Sequence, residues 1–254
     1  MSSSMKVEPF IMLWREKGSQ GTMKTIGMIG GIGPESTIEY YRLIIASYSE
    51  RIPDGSYPLM IINSIDLQKL RNMAEANERA NMTEYLVSEI QKLARAGAEF
   101  GFLAANTPHM VFDEVRHQSP IPLISIVETT CQAAKALGLQ KLGLLGTRMT
   151  MQGRFYSEVF LRKGIMLAVP DKHDQAYIHH VYFNELVKGM VLHETRQRFL
   201  NIVDRLKQRE GIQGLILGGT ELSLIFRDET VCDIPVLDTT KIHAKAIVAE
   251  VLAA

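Results

Sequence analysis

The sequence predicts an α/β fold of two pseudo-symmetric halves, each a mainly parallel sheet flanked by helices, with a ligand cleft between them. Two observations lead there. Short apolar runs alternate with longer amphipathic ones, the pattern of strand and crossover helix. The alternation is also stated twice, in the same order, at nearly one offset.

In the first half, Thr25–Ile29 (TIGMI) reads as a buried strand ending at Gly30-Gly31. Leu59–Ile62, Phe100–Ala104 and Pro122–Ser125 read as three more. Ser36–Arg51 carries Tyr40, Leu43 and Ile44 on one helical stripe, and Glu78–Ala96 carries Leu86, Ile90 and Leu93. Near-continuous apolar strands joined by helices imply a parallel sheet covered on both faces. In the second half, Leu142–Leu145 before Gly146 matches Ile26–Ile29 before Gly30. Leu215–Leu217 matches Gly101–Leu103, and Ile234–Leu237 matches Ile121–Ile124. The offsets are 116, 114 and 113 residues, which duplication explains better than chance. The expected organisation is a leader over 1–22, an N-terminal half over 23–125, a C-terminal half over 126–238, and a closing C-terminal helix over 239–254.

Composition narrows the function. Lys plus Arg and Asp plus Glu are both 28, so no net charge draws the chain to nucleic acid or anionic lipid. No apolar stretch approaches the roughly 20 residues that span a bilayer. Two cysteines without a close pair fit a reducing compartment, and a cytoplasmic location is expected. The histidines do not form a metal site: His179 and His180 are adjacent, so on a helix they diverge by about 100°, and no HExxH or Cys/His pairing is present.

In an open parallel sheet, ligands bind beyond the carboxyl ends of the strands. Here those ends are Gly30 and Ala104 in one half and Gly146 and Gly218 in the other. Ala104-Ala105-Asn106-Thr107-Pro108-His109 follows one, and Gly218-Gly219-Thr220-Glu221-Leu222 its counterpart. Each is read as running into a helix, whose first turn offers free N–H groups to a carboxylate. Asn106, Thr107 and Thr220 add side-chain hydrogen-bonding groups. The loop Gly30–Thr37 (GGIGPEST) lacks the third glycine of a dinucleotide site and the Gly-Lys-Ser/Thr of a phosphate loop. Its counterpart Gly146–Gly153 brings Thr147 and Thr150 to the opposing helix start. Gly31, Asn106, Thr107, Thr147, Thr150, Thr220 and Glu221 are therefore the candidate binding residues, with N-capping and turn chemistry as their ordinary reading.

GGIGPEST followed by Tyr40-Tyr41, then AANTPH, GTRMTM, LGGTEL and Ile234–Thr240 (IPVLDTT), resembles the aspartate/glutamate (and hydantoin) racemase superfamily from about Lys24 to the C-terminus. The resemblance implies cofactor-independent chemistry on an acidic amino acid such as aspartate or glutamate, and a homodimer. It also implies two cysteines, one per half, that remove and return the α-proton on opposite faces. That pairing answers a chemical need, because inversion requires a base on one face and an acid on the other.

The chain departs from the family at both positions. Ala105 stands where the first cysteine is expected, with Ala104 its neighbour in some relatives, and Gly219 stands where GCTE becomes GGTE. Cys131 and Cys232 fall away from the expected cleft and read as structural. One reading is therefore a racemase frame with activity lost or weak. A second is a binding or sensing protein for a diacid. A third is a lyase- or decarboxylase-type member using His109 or Glu221, with His109 otherwise a helix brace. Arg71 and Arg148 are candidates, by location, for holding a distal carboxylate.

Overall fold

The computed structural model describes residues 23–253, so the leader expected over 1–22 lies outside the described residues. Two sheets form. The first contains β1 (Ile26–Gly30), β2 (Met60–Ser64), β3 (Phe100–Leu103) and β4 (Leu123–Ile124) in the order β2-β1-β3-β4, all parallel. The second contains β5 (Lys141–Gly146), β6 (Met166–Ala168), β7 (Gly214–Gly218), β8 (Thr230–Val231) and β9 (Ile234–Asp238) in the order β6-β5-β7-β9-β8. The repeat is thus structural: β1, β3 and β4 take the places of β5, β7 and β9. Only β8, antiparallel to β9, has no counterpart.

The strands form where the apolar runs are. Every residue of β1, β3 and β7 is buried, as expected for central strands covered on both faces. The helices are α1 (Pro34–Arg51), α2 (Leu67–Glu75), α3 (Arg79–Arg95), α4 (Phe112–Gln118) and α5 (Ile126–Ala136) in the first part of the chain. They continue as α6 (Arg148–Gln152), α7 (Arg154–Leu161), α8 (Lys172–Asn184), α9 (His193–Glu210) and α10 (Thr239–Val251). Several starts are written locally: Pro34 sits in the first turn of α1, and Asp66, Ser125, Thr147, Asp171 and Asp238 each accept a backbone N–H at their helix. One expectation changes. The segments after β3 and β7 begin as short 3-10 turns, Thr107–Val111 and Thr220–Leu224, rather than as α-helices.

The last helix crosses back. Ala244, Ile247, Val248 and Val251 of α10 pack with Ile26, Met28, Tyr40 and Phe102 of the first sheet's core. Burying each larger aliphatic here contributes about 1.5–3 kcal/mol. Buried His243 fixes the crossing: Nδ1 accepts from Tyr40 (2.8 Å) and Nε2–H donates to the Ile124 carbonyl (3.1 Å). Burial pushes its pKa down to about 3, so it is a neutral linker. Helix α5 instead packs Ile126, Val127, Cys131 and Ala134 onto the second core. Among the described residues no helix is long and apolar enough to cross a membrane.

Candidate functional site

The carboxyl ends of the central strands open on one cleft of about 310 Å³ between the halves. From the first half come Ile32 and Gly33 after β1, the Leu67–Glu75 face of α2, and Ala105, Asn106 and Thr107 after β3. From the second come Thr147, Arg148 and Met149 after β5, His179, Tyr182 and Phe183 of α8, Val187, and Gly218–Glu221 after β7.

Glu221 is the most connected of these groups. It is buried, and its carboxylate accepts from Ser36 Oγ at the start of α1 (3.1 Å), from Thr220 Oγ1 (2.7 Å) and from the Tyr182 hydroxyl. The Ser36 contact crosses between halves, and so does the 2.5 Å approach of the Ser36 and Thr220 hydroxyls. Gly33 makes room: a Cβ there would lie 2.9 Å from Glu221 Oε1, and φ is +93°. Among the described ion pairs none involves Glu221. Desolvation first, and then the Glu221 charge, hold the Tyr182 phenol well above its ordinary pKa, so it stays a protonated donor.

Tyr182 also decides what stands beside residue 219. A Cβ added to Gly219 would meet Tyr182 Cε2 at 2.5 Å, its hydroxyl at 2.9 Å and Cζ at 3.1 Å. The phenol ring thus fills the space of a side chain at 219. Ala105, across the cleft, is buried and carries only a methyl group. Neither position offers a group that ionises.

The other expected residues divide. Thr107 and Thr147 reach each other across the halves, Oγ1 to Oγ1 at 3.3 Å, and Thr147 also caps α6. The Asn106 amide touches the cleft but is committed at both ends, donating to Thr239 Oγ1 (3.2 Å) and accepting from the Tyr156 hydroxyl. Thr150 is fully buried beneath Thr147 and does not line the cleft. Gly31 does not line it either. Its N–H donates to Thr37 Oγ1 (2.8 Å), and a Cβ on it would strike the Ile65 carbonyl at 2.3 Å.

His109 turns away from the cleft. Its Nδ1–H donates to the Ala105 carbonyl (3.0 Å), its Nε2 accepts from the Ile126 N–H (3.2 Å), and the ring stacks on Phe112. Burial pushes its pKa down to about 3. Both nitrogens are occupied in the neutral form, which is the geometry of a brace between the Ala105 loop and α5.

Arg71 lines the cleft, with its guanidinium bound to Glu75 (2.7 Å) and lying 4.4 Å over the Phe183 ring. Arg148 is at the rim and exposed. Its backbone N–H donates to His179 Nδ1 (3.2 Å), which leaves the neutral ring's proton on Nε2. Burial, then the Arg148 and Arg71 charges, lower the His179 pKa. Cys131 and Cys232 lie outside the cleft, and burial raises both thiols. Outside it too, Asp171, His173 and Asp174 cluster at the start of α8, where Asp171 caps the helix and Asp174 binds Arg205 (2.6 Å).

Sequence reasoning missed Tyr182, His179, Phe183 and the α2 face. For α2 a signal existed: Asp66 as N-cap before Leu67, Leu70 and Ala74 at helical spacing. For Tyr182 no local signal exists, because its position depends on α8 crossing to the end of β7.

Comparison with known proteins sets this cleft in a family. The pattern of the Asp/Glu/Hydantoin racemase family matches residues 29–247. The chain belongs to that family. It is 25% identical over 236 residues to the broad specificity amino-acid racemase RacX of Bacillus subtilis (strain 168), a match covering 90% of this chain and 98% of RacX. It is 34% identical to an aspartate racemase homologue from Pyrococcus horikoshii OT3, with a TM-score of 0.79 over 90% of this chain and 99% of that one. The fold also resembles the aspartate racemase of Picrophilus torridus, with a TM-score of 0.69 at 22% identity, over 90% of this chain and 94% of that one.

Proposed function

We propose that the chain binds a small carboxylate-bearing amino acid in this racemase cleft, and that two-base racemisation there is lost. One observation carries the proposal: the space beside Gly219 is filled by a phenol whose proton is committed to Glu221, while Ala105 opposite has no acid or base. The α-proton of an amino acid is very weakly acidic, and its removal needs a base in contact and a second group to return the proton. Hydroxyls of Thr107, Thr147 and Thr220 and the carboxylate of Glu221 remain to hold carboxylate and ammonium groups.

The test is exchange of the α-proton in heavy water, followed by NMR for both enantiomers of a panel of amino acids. Exchange no faster than in buffer is expected. Exchange of both antipodes would overturn the proposal. A lyase- or decarboxylase-type alternative rests on Glu221 rather than His109, because Glu221 faces the cleft and His109 is fully engaged outside it. It predicts exchange confined to one enantiomer, since Glu221 stands on one side only. We further propose a cytoplasmic homodimer. Exposed Ile38 and Tyr41 on α1, and Leu59 and Ile62 at β2, are apolar surface for a second copy, and sedimentation tests that assembly.

A further inference from the structure

We infer that the cleft selects an α-amino acid with an uncharged, apolar side chain over aspartate or glutamate. The inference rests on the amino-acid binding proposed above and concerns only the side chain. Three features of the cleft carry it.

The first is the composition of its far wall. Leu67, Leu70 and Ala74 form one stripe of α2, at spacings of three and four that put them on one helix face. Phe183 and Val187 stand with them in the same cavity. An aliphatic or thioether side chain placed among these groups exchanges water for carbon, whereas a carboxylate packed on the same carbon loses solvation.

The second is the state of the cations. Arg148 stands exposed at the rim, where water and salt screen it, and Arg71 is already paired. Its Nε–H already donates to Glu75 at 2.7 Å, and its planar face is spent on Phe183 at 4.4 Å. A glutamate side chain would have to compete with Glu75 for the same guanidinium, and would bring a third charge beside a neutralised pair.

The third is Glu221. It is buried, bonded only by hydroxyls, and none of the described ion pairs neutralises it. A buried carboxylate that meets no cation among the described residues is matched by a ligand that brings one, and an α-ammonium group does so. A zwitterionic ligand of no net charge, such as leucine or methionine, supplies one ammonium and one carboxylate. Aspartate and glutamate add a second carboxylate to a cleft whose lining already sets Glu75 and Glu221 against Arg71 and Arg148. The cavity of about 310 Å³ lies at the small end of ligand pockets, which suits an amino acid with one modest side chain.

Calorimetric titration of the full chain tests this with both enantiomers of leucine, methionine and phenylalanine against those of aspartate and glutamate. At least one apolar ligand is expected to bind tenfold or more tightly than either acid. The same titrations on Glu75→Gln, a change at a half-exposed position, are expected to narrow that ratio by freeing Arg71 for a distal carboxylate. Acids binding as tightly as or more tightly than every apolar ligand would overturn the inference and leave amino-acid binding standing. An unchanged ratio in Glu75→Gln would overturn it too. Binding of neither class would instead remove the proposed function on which it rests.

Discussion

Adding a side chain at position 219 tests the central geometry, because backbone conformation and packing predict opposite signs. The Gly219 backbone is extended, with φ −161° and ψ 128°, a conformation any residue adopts. Replacing a glycine in such a conformation ordinarily stabilises by about 0.4–1 kcal/mol, through the unfolded chain. The structure predicts a loss instead. The new Cβ would stand 2.5 Å from Tyr182 Cε2, so the ring has to move. Tyr182 is buried beside Phe183 and Glu221, and moving it carries two costs. Overpacking costs about 1–3 kcal/mol, and a hydrogen bond to a charged group contributes about 1.5–3 kcal/mol. Gly219→Cys is therefore expected to destabilise by roughly 3–5 kcal/mol. Denaturant unfolding of four proteins measures this: the parent, Gly219→Cys, Tyr182→Leu and the double variant. The shorter leucine removes the clash, so the two costs will not add, and the coupling should exceed about 1 kcal/mol. A Gly219→Cys protein as stable as its parent, or four strictly additive stabilities, would refute the claim that Tyr182 occupies this space.

Two other outcomes follow from the same coordinates. Ala105→Cys with Gly219→Cys is expected to racemise no amino acid while Tyr182 is present, and to gain measurable racemisation once Tyr182→Leu is added; polarimetry or chiral chromatography decides, and activity in the double variant alone would contradict the reasoning. The buried histidines set a pH dependence: His109 and His243 have folded pKa values near 3 against about 6.5 unfolded, so the unfolded chain binds more protons below pH 6.5 and stability falls as pH drops. Each should cost about 1.4 kcal/mol between pH 8 and 5.5, and denaturation midpoints that do not change over this interval would refute the neutral, buried assignment.

The parts of this molecule that a reader of the sequence finds are those written in consecutive residues. The strands of the two sheets are short apolar runs closed by glycine or small residues, and their repetition exposes the pseudo-symmetry before any contact is known. The loops at the strand ends follow, so element order sets Ala105, Thr107, Thr147 and Glu221 just beyond the carboxyl ends of β3, β5 and β7. His109 was half legible. Its bond to the Ala105 carbonyl is local, four residues back, but its second bond, to Ile126, is tertiary and removes it from the cleft. Helix α8 was not legible as a wall of the site. Its buried positions begin with Asp174 and Gln175, polar residues held by Arg205 and by the Pro170 carbonyl, so its inward face does not read as an apolar stripe. The residue that matters most, Tyr182, touches a glycine on another element, and no spacing encodes that contact.

Positions 105 and 219 are not equivalent. Ala105 carries a methyl group that lines the cleft, so a longer group there has space to grow into. At Gly219 the space for a side chain is filled by Tyr182, whose hydroxyl is tied to the same Glu221 that lines the cleft. A cysteine at 105 is sterically simple, whereas one at 219 opposes a packed ring and a charged hydrogen bond. The pseudo-two-fold axis that relates the strands therefore does not relate the two faces a ligand meets. One face is a recess beside a methyl group, and the other is a phenol backed by a carboxylate. Any ligand bound between them has a preferred orientation, fixed by Glu221 on one side. The two enantiomers of a bound amino acid should then differ in affinity, which the titrations of both hands read directly.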